Sequence, residues 1–194
     1  MKTESNDPPA TSAAPGNPEA ELCCRADLAG LRRALARVRV LLELPESTLF
    51  TPQSEISLWC IAEQLNHLIL ADDLSVRNVR TVAKGSGMLL RDPEKRDPEA
   101  LAILTRGRFP RGQAEAPRFV RPPKVVDVPL CRRFLDELEA ELEAVEAELP
   151  ALLAETRCVP HQVLGDLTGP EWLRFARAHS AHHLLIVRDL LAAF

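Results

Sequence analysis

The sequence lacks the cysteine pattern of a thiolate metal site or of a disulfide framework. Its five cysteines are odd in number, and no two of them have the Cys-x-x-Cys spacing. A secreted disulfide scaffold and a cysteine-ligated zinc site are therefore poor explanations of this chain. We expect reduced thiols and a cytoplasmic location; the cysteines are Cys23, Cys24, Cys60, Cys131 and Cys158.

Long apolar runs are also missing. No run approaches the length of a transmembrane helix, and the opening stretch MKTESNDPPATSAAPGNPEA has no apolar core of a signal peptide. The formal net charge of -4 and the 46% share of hydrophobic residues are typical of a soluble globular protein, so no membrane partner is expected. Because the opening stretch is rich in Pro, Ser, Asn and acidic residues, we expect residues 1–21 to be a disordered tail and residues 22–194 to form one domain.

No segment alternates polar and apolar residues convincingly with the period of a β-strand. A glycine fingerprint of a dinucleotide site or a phosphate-binding loop is also absent. Four stretches instead have helical periodicity, which predicts an all-α four-helix bundle. The first has an apolar stripe from Leu28 to Leu42, and the second runs from about residues 51–54 to just before Gly85.

Apolar residues from Leu138 to Leu152 mark the third predicted helix, which has an acidic outer face. Pro150 lies within this pattern, so we expect a kink or a break there. The fourth helix begins with Thr168-Gly-Pro-Glu171, the pattern of a capping box in which Thr168 accepts from the backbone and Glu171 reaches back. It then runs to the C-terminus.

Between the second and third helices lies a long irregular loop, about residues 82–127, in which only EALAILTR suggests a short helix. From Arg80 to Lys124, eleven Lys or Arg residues stand against five Asp or Glu. Two interpretations remain: the loop docks on the acidic third helix, or it binds an anionic partner. Its only aromatic residues are Phe109 and Phe119, too few for a base-stacking platform, so nucleic acid is not an expected partner.

Three of the five histidines lie in the pentapeptide HSAHH, residues 179–183 of the fourth helix. At 100° per residue, His179 and His183 fall within about 20° of the centre of the apolar stripe, whereas His182 falls about 80° away at its edge. Two imidazoles four residues apart on one helix face can reach the same metal ion. The alternative is that both are simply buried, although two bare imidazoles then need two sets of hydrogen-bond partners.

A third ligand has to come from another segment, and His67 in AEQLNHLILADD is the natural candidate. His67 lies roughly opposite the main apolar stripe of the second helix, in company with Leu70 and Leu74. Because both faces of this helix are partly apolar, periodicity leaves the direction of His67 open. His161, in the linker before the last helix, is either a fourth ligand or a surface histidine.

The segments LWCIAEQLNHL and EWLRFARAHSAHHLLIVRDLL resemble the DinB-like (YfiT-type) superfamily, whose members have a Trp-containing helix with a histidine near its middle and a final helix with a His-x-x-x-His pair. HQVLGDLTGPEW and RFPRG resemble more narrowly a branch of that superfamily with no assigned function. The resemblance covers most of the chain beyond the opening stretch. It implies a four-helix bundle, frequently a homodimer, that binds a divalent metal such as zinc or nickel through His67, His179 and His183.

Three neutral imidazoles leave a bound divalent ion with a charge near +2 and at least one open position, which favours an anionic ligand such as a thiolate. Several similar proteins are thiol-dependent S-transferases or isomerases, so the resemblance implies attack of a low-molecular-weight thiol on a small electrophilic substrate.

Glu63, one turn before His67, is the candidate catalytic residue that would orient an imidazole or accept a proton. Its ordinary alternative is a solvated helix glutamate. The other carboxylates on offer are Asp72 and Asp73. The competing function is a non-catalytic module that binds a metal or small ligand, or that serves dimerisation.

Overall fold

The computed structural model describes residues 17–107, 109–110 and 115–194. In chain order the elements are α1 (Pro18–Leu41), α2 (Glu46–Leu49), α3 (Ile61–Ala83), α4 (Pro98–Arg106), a 3-10 helix (Arg118–Val120), α5 (Val128–Ala147), α6 (Leu149–Ala154), β1 (Val159–His161), β2 (Gly165–Leu167) and α7 (Gly169–Leu191). None of the helices in these described ranges has the length and apolar character needed to cross a membrane.

Four long helices, α1, α3, α5 and α7, build the bundle. α3 contacts α5 and α7, and α1 contacts the same two helices, so the four surround one core. The core is made mainly of leucine and valine, with Leu35, Leu65 and Leu142 completely buried. The predicted all-α four-helix bundle is confirmed.

The first helix begins earlier than the sequence predicts. Most of the expected disordered tail, residues 1–16, lies outside the described residues, but Pro18 already starts α1. The side chain of Asn17 accepts hydrogen bonds from the N–H groups of Glu19 (3.1 Å) and Ala20 (3.5 Å). These bonds cap the free N–H groups of the first turn, which accounts for the earlier start.

The predicted start of the second long helix, at residues 51–54, is wrong. That segment forms turns instead, in which the N–H groups of Ile56 and Ser57 donate to the Gln53 carbonyl. α3 begins only at Ile61, where the Glu63 carboxylate accepts a hydrogen bond from the Cys60 N–H at 2.9 Å. A glutamate at this position satisfies one of the N–H groups left open at a helix start, and so marks the helix boundary.

The other helix boundaries follow their local signals. The third predicted helix breaks at Glu148 into α5 and α6, and Pro150 occupies the first turn of α6. The predicted capping box starts α7: the Glu171 carboxylate accepts from the Thr168 N–H at 2.8 Å, and Thr168 Oγ1 accepts from the Glu171 N–H at 3.4 Å.

A short β-hairpin, absent from the sequence prediction, precedes α7. β1 and β2 pair antiparallel, with Val159 opposite Leu167 and His161 opposite Gly165. Gly165 has a φ of +76°, and a Cβ at this position would collide with the carbonyl oxygen of Lys95. Only glycine combines this backbone angle with such a close approach, so Gly165 was the one sequence signal for the hairpin.

The basic loop docks inside the molecule, but not on the acidic third helix as one interpretation predicted. The Arg91 guanidinium donates to the Asp166 carboxylate of β2 at 2.6 Å. Arg96 donates to both carboxylate oxygens of Glu171 at the start of α7. The described part of the loop is thus attached to the hairpin and to α7.

The acidic face of α5 is already paired with other helices, which explains the different docking site. Arg32 of α1 pairs with Glu146 at 2.7 Å, and Arg39 pairs with Asp136 at 2.8 Å. Arg80 of α3 pairs with Glu141 and Glu148. These ion pairs join α5 to its two neighbours, and their partly exposed positions make each a modest contributor to stability.

Candidate metal centre

α3 and α7 bring three histidines together at their contact. The ligand nitrogens of His67, His179 and His183 all lie within 4.8 Å of one another, close enough for one cation to be shared after small side-chain adjustments. The ring centroids of His67 and His183 are 4.5 Å apart, and those of His179 and His183 are 4.4 Å apart. The structure therefore brings together all three sequence-predicted ligands.

The direction of His67, which periodicity left open, follows from the position of α3. This helix is buried on several sides, because α7, α5 and α6 all contact it. His67 accordingly points inward with only 3% of its surface exposed, although it lies opposite the main apolar stripe. His183 is also buried and His179 is partly buried, so the three imidazoles need polar partners.

Two of the histidines are oriented by carbonyl oxygens. His67 Nδ1 lies 2.7 Å from the Val120 backbone oxygen, and His183 Nδ1 lies 2.7 Å from Oε1 of Gln64. A carbonyl oxygen only accepts, so Nδ1 must carry the proton in each ring. In a neutral imidazole, Nε2 then carries no proton, and its lone pair is free to bind a metal ion. This is the form in which a histidine ligates a metal.

The Gln64 side chain is itself held in place by a short chain of hydrogen bonds. Its Nε2 donates to Ser57 Oγ at 2.8 Å, and Ser57 Oγ also accepts from the Trp59 N–H at 3.0 Å. The amide oxygen of Gln64 is therefore turned toward His183. Partners of this kind fix the tautomer and ring direction of a ligand.

His179 completes the set with an unpaired nitrogen. Its Nδ1 is buried and has no hydrogen-bond partner among the described residues. Burial, reinforced by the neighbouring histidines, lowers the pKa of His179 and His183 well below the usual histidine range, and burial lowers the pKa of His67 as well. The three rings are thus held neutral, as metal coordination requires, and the residues present fit a divalent ion.

The triad forms part of the wall of a cavity of about 1020 Å³. This volume is at the upper end of the range usual for small-molecule sites. Trp59 is half-buried and packs its ring 4.9 Å from His67. Phe109 and Phe175 contribute further aromatic surface next to His179. The arrangement combines a polar cluster with an apolar chamber large enough for a substrate.

The carboxylates considered for acid–base work have other contacts. Glu63 caps α3 through its hydrogen bond to the Cys60 N–H. Asp72 is completely buried between α3 and α7, where it accepts a hydrogen bond from Ser180 Oγ at 2.6 Å. Burial raises the pKa of Asp72 well above its usual range, although that hydrogen bond opposes the rise. Asp73 forms an ion pair with Arg77 on the same helix.

The two remaining histidines lie outside the three-histidine group. His161 Nδ1 accepts hydrogen bonds from the N–H groups of Val163 and Leu164. His182 lies beside the site, with its ring 5.2 Å from that of His183. Both side chains line the cavity. The structure therefore gives them a place near the site without joining them to the triad.

Two residues that orient the triad were missed by the sequence interpretation. Gln64 precedes His67 by three residues, and a glutamine among the apolar residues of a helix was an available signal. The carbonyl of Val120 had no such signal, because every residue has a carbonyl group. The two adjacent cysteines of α1 differ in exposure: Cys23 is exposed but Cys24 is buried. Burial, with the nearby Asp27 carboxylate, raises the pKa of Cys24 to about 11.

Comparison with known proteins gives one match. The family model of the DinB superfamily matches residues 30–187, a span that includes all three histidines. Neither the search of curated proteins nor the search of solved structures found a match. The family match agrees with the resemblance seen in the two histidine-containing segments and with the helical bundle described above. The chain belongs to the DinB superfamily.

Proposed function

We propose that the protein binds a divalent metal ion, zinc or nickel, through His67, His179 and His183, and uses it to transfer a small thiol to an electrophilic substrate. The observation that carries this proposal is the position of the triad in the wall of a large cavity. A structural metal site is normally closed by four protein ligands, whereas a catalytic site keeps a position open. Three histidines beside a chamber match the second arrangement.

The chemistry supplied by such an ion, when bound, is a lowered pKa of a coordinating thiol, which keeps the sulfur nucleophilic at neutral pH. In the reaction the sulfur forms a bond to the electrophilic carbon, the leaving group departs with its electron pair, and the thiol proton passes to water. Gln64 fixes the orientation of the His183 imidazole, and the Val120 carbonyl fixes that of His67.

In this proposal Glu63 acts on the site indirectly, by capping α3. The first turn of this helix carries Gln64, and His67 follows one turn later, so the cap made by Glu63 supports both. A direct role as proton acceptor is the alternative, and only in that role should Glu63→Gln lower the activity.

The proposal also includes a cytoplasmic homodimer. The location rests on the five cysteines, all of which are free, and the dimer rests on the family resemblance. Sedimentation of the purified protein tests the dimer: a single species of twice the 21.5 kDa chain mass supports it, and a monomer at all concentrations contradicts it.

Metal analysis of the purified protein tests the centre. We expect about one divalent ion per chain in the wild type, and a loss of at least tenfold in bound metal for His179→Ala. His182→Ala is the matched control, because it removes a neighbouring imidazole of the same helix that lies outside the triad. Equal metal loss in both variants, or none in His179→Ala, would contradict the assignment.

Turnover separates an enzyme from a non-catalytic metal module. The metal-loaded protein is given cysteine and 1-chloro-2,4-dinitrobenzene, and release of chloride with formation of the thioether is measured. Acceleration that disappears in His179→Ala supports the transferase. Bound metal without acceleration for this and other uncharged electrophiles supports the binding module instead.

A further inference from the structure

His161 lies in the wall of the same cavity as the three-histidine group. It is the last residue of β1, and its ring packs against both Trp172 and Phe175, with ring centroid distances of 5.2 and 4.5 Å. Phe175 in turn stacks on His179 at 5.2 Å. His161 is therefore one aromatic ring away from the triad, on the same cavity.

The hydrogen bonds of His161 determine its tautomer. Nδ1 accepts from the N–H groups of Val163 at 3.2 Å and Leu164 at 3.1 Å. An accepting nitrogen carries no proton, so the neutral ring has its proton on Nε2. Burial lowers the pKa of His161 to about 4, which keeps the ring neutral at pH 7. Among the described residues, only Nδ1 of this ring is hydrogen-bonded, so the Nε2–H group is available as a donor.

Few charged side chains line the described part of the cavity wall. Glu115 and Arg121 are the only acidic or basic side chains among the described lining residues, apart from the histidines. These two pair with each other at 2.9 Å, and both are largely exposed at the edge of the cavity. The remaining wall is mainly apolar and includes Trp59, Phe109 and Ile103. Apart from a metal bound by the triad, the described wall offers no unpaired charged side chain that would compensate a charged substrate for the hydration it loses here.

We propose that the cavity takes an uncharged, mainly apolar or aromatic substrate with a carbonyl-type oxygen, and that His161 Nε2–H donates a hydrogen bond to this oxygen. The inference names the substrate class of the proposed transferase site and rests on that function for its biological meaning. His161 is then a specificity-determining residue. Its two backbone hydrogen bonds hold the donor in place before the substrate arrives, which reduces the entropy lost on binding.

Binding of three probes of similar shape tests the proposal: 2-acetylnaphthalene, 2-ethylnaphthalene and 2-naphthoate. Affinities are measured by quenching of tryptophan fluorescence, with the metal-free and the zinc-loaded protein. We expect the ketone to bind roughly two- to tenfold more tightly than the ethyl compound, the usual net gain from one neutral hydrogen bond. In the metal-free protein the carboxylate probe is expected to bind most weakly of the three.

Two substitutions distinguish the Nε2–H donor of His161 from the hydrogen bonds that its side chain makes to the Val163 and Leu164 N–H groups. His161→Asn keeps an acceptor close to the Val163 and Leu164 N–H groups, but its shorter side chain has no donor at the position of Nε2, so the preference for the ketone should disappear. His161→Gln places an amide nearer to the position of Nε2 and should keep part of that preference. Circular dichroism and thermal unfolding establish that both variants are folded.

The outcomes distinguish this inference from the proposed function. Equal affinity of the wild type for the ketone and the ethyl compound, or an unchanged preference in His161→Asn, overturns the role of His161. Tightest binding of 2-naphthoate to the metal-free protein overturns the uncharged substrate class. Failure of metal binding with intact ketone preference would overturn the metal centre alone, since the probes bind without a metal.

Discussion

At the scale of single residues, the candidate centre depends on which ring nitrogen carries the proton. The Val120 carbonyl and the Gln64 amide oxygen each take the Nδ1–H of one histidine. The opposite nitrogen of each ring is then left with its lone pair. His179 has no equivalent partner among the described residues, so its direction depends on packing against Phe175.

Gln64→Leu should weaken metal binding without removing a ligand. Loss of the amide oxygen frees His183 to rotate and to change tautomer, and substitutions of such partners typically reduce metal affinity about 10- to 100-fold. Competition with a zinc chelator measures the change. Asn78→Leu, also in the cavity wall, is the control and should leave the affinity within about twofold of the wild type. Equal affinities of the Gln64 variant and the wild type would contradict the orienting role.

Glu63→Gln tests the two roles of this residue. Glutamine keeps an oxygen that accepts from the Cys60 N–H but lacks a basic carboxylate. If Glu63 is a cap, transferase activity should remain near that of the wild type, whereas Glu63→Ala should lower the free energy of unfolding by about 1 kcal/mol. A loss of about 100-fold or more in kcat for the glutamine variant, at unchanged stability, would instead identify Glu63 as the base.

At the scale of elements, the hairpin and the preceding loop form one unit. The backbone groups of Arg91 pair with those of Cys158 just before β1, and the Asp166 N–H donates to the Lys95 carbonyl. The Asp166 carboxylate accepts from Arg91 and from the N–H groups of Glu94 and Lys95. This buried carboxylate therefore joins the loop to the strand that pairs with β1, the strand that carries His161.

Asp166→Asn should destabilise the protein in a pH-dependent way. Burial alone would raise the pKa of Asp166, but the hydrogen bonds from Lys95, Arg91 and Glu94 lower it to about 2. An unfolded chain has an aspartate pKa of about 4, so the carboxylate stabilises the fold above about pH 4, and this contribution is lost as the pH falls from about 4 toward 2.

Thermal unfolding between pH 7 and pH 3 measures this effect. The Asn variant should be less stable than the wild type by about 2–3 kcal/mol at pH 7 and by less at pH 3. Asp92→Asn, which changes an exposed carboxylate of the same loop, should have little effect at either pH. A difference between wild type and Asp166→Asn that is independent of pH would show that charge is not the cause.

At the scale of the whole molecule, α1 stabilises the bundle without contributing a ligand. Asp27 of α1 is buried and accepts hydrogen bonds from Arg174 (3.2 Å) and Arg177 (2.6 Å) of α7. The more exposed ion pairs on the other side of α1 join it to α5. A small domain of this kind usually unfolds as one unit. Loss of the Asp27 contacts with α7, or of the ion pairs with α5, therefore lowers the stability of all four helices together.

Asp27→Asn should cost more stability than the removal of an exposed ion pair. We expect a loss of about 1–2 kcal/mol in the free energy of unfolding, reduced from the value for a fully buried pair because both arginines are about one-third exposed. Asp136→Asn, at a carboxylate with 67% of its side chain exposed, should cost less than about 0.5 kcal/mol. Urea unfolding measures both, and equal losses would contradict the importance of burial.

Helix boundaries with local signals could be predicted from the sequence. The break before Pro150 and the capping box at Thr168 depend on residues within one helical turn of one another. The start of α3 was also signalled locally, by Glu63 as a cap, but the apolar residues upstream suggested an earlier start. The hairpin was missed because each strand has only three residues, too few for an alternating pattern to stand out.

The sequence by itself determined the helical class, the inward direction of His179 and His183, and the family, because helix periodicity relates residues that are close along the chain. Only the tertiary structure decided that His67 joins them, that a Val120 carbonyl orients it, and that Asp166 rather than α5 receives the loop. These contacts join residues 50 or more positions apart, or involve backbone groups that all residues share. Their geometry depends on how the helices pack against one another, which no local pattern specifies.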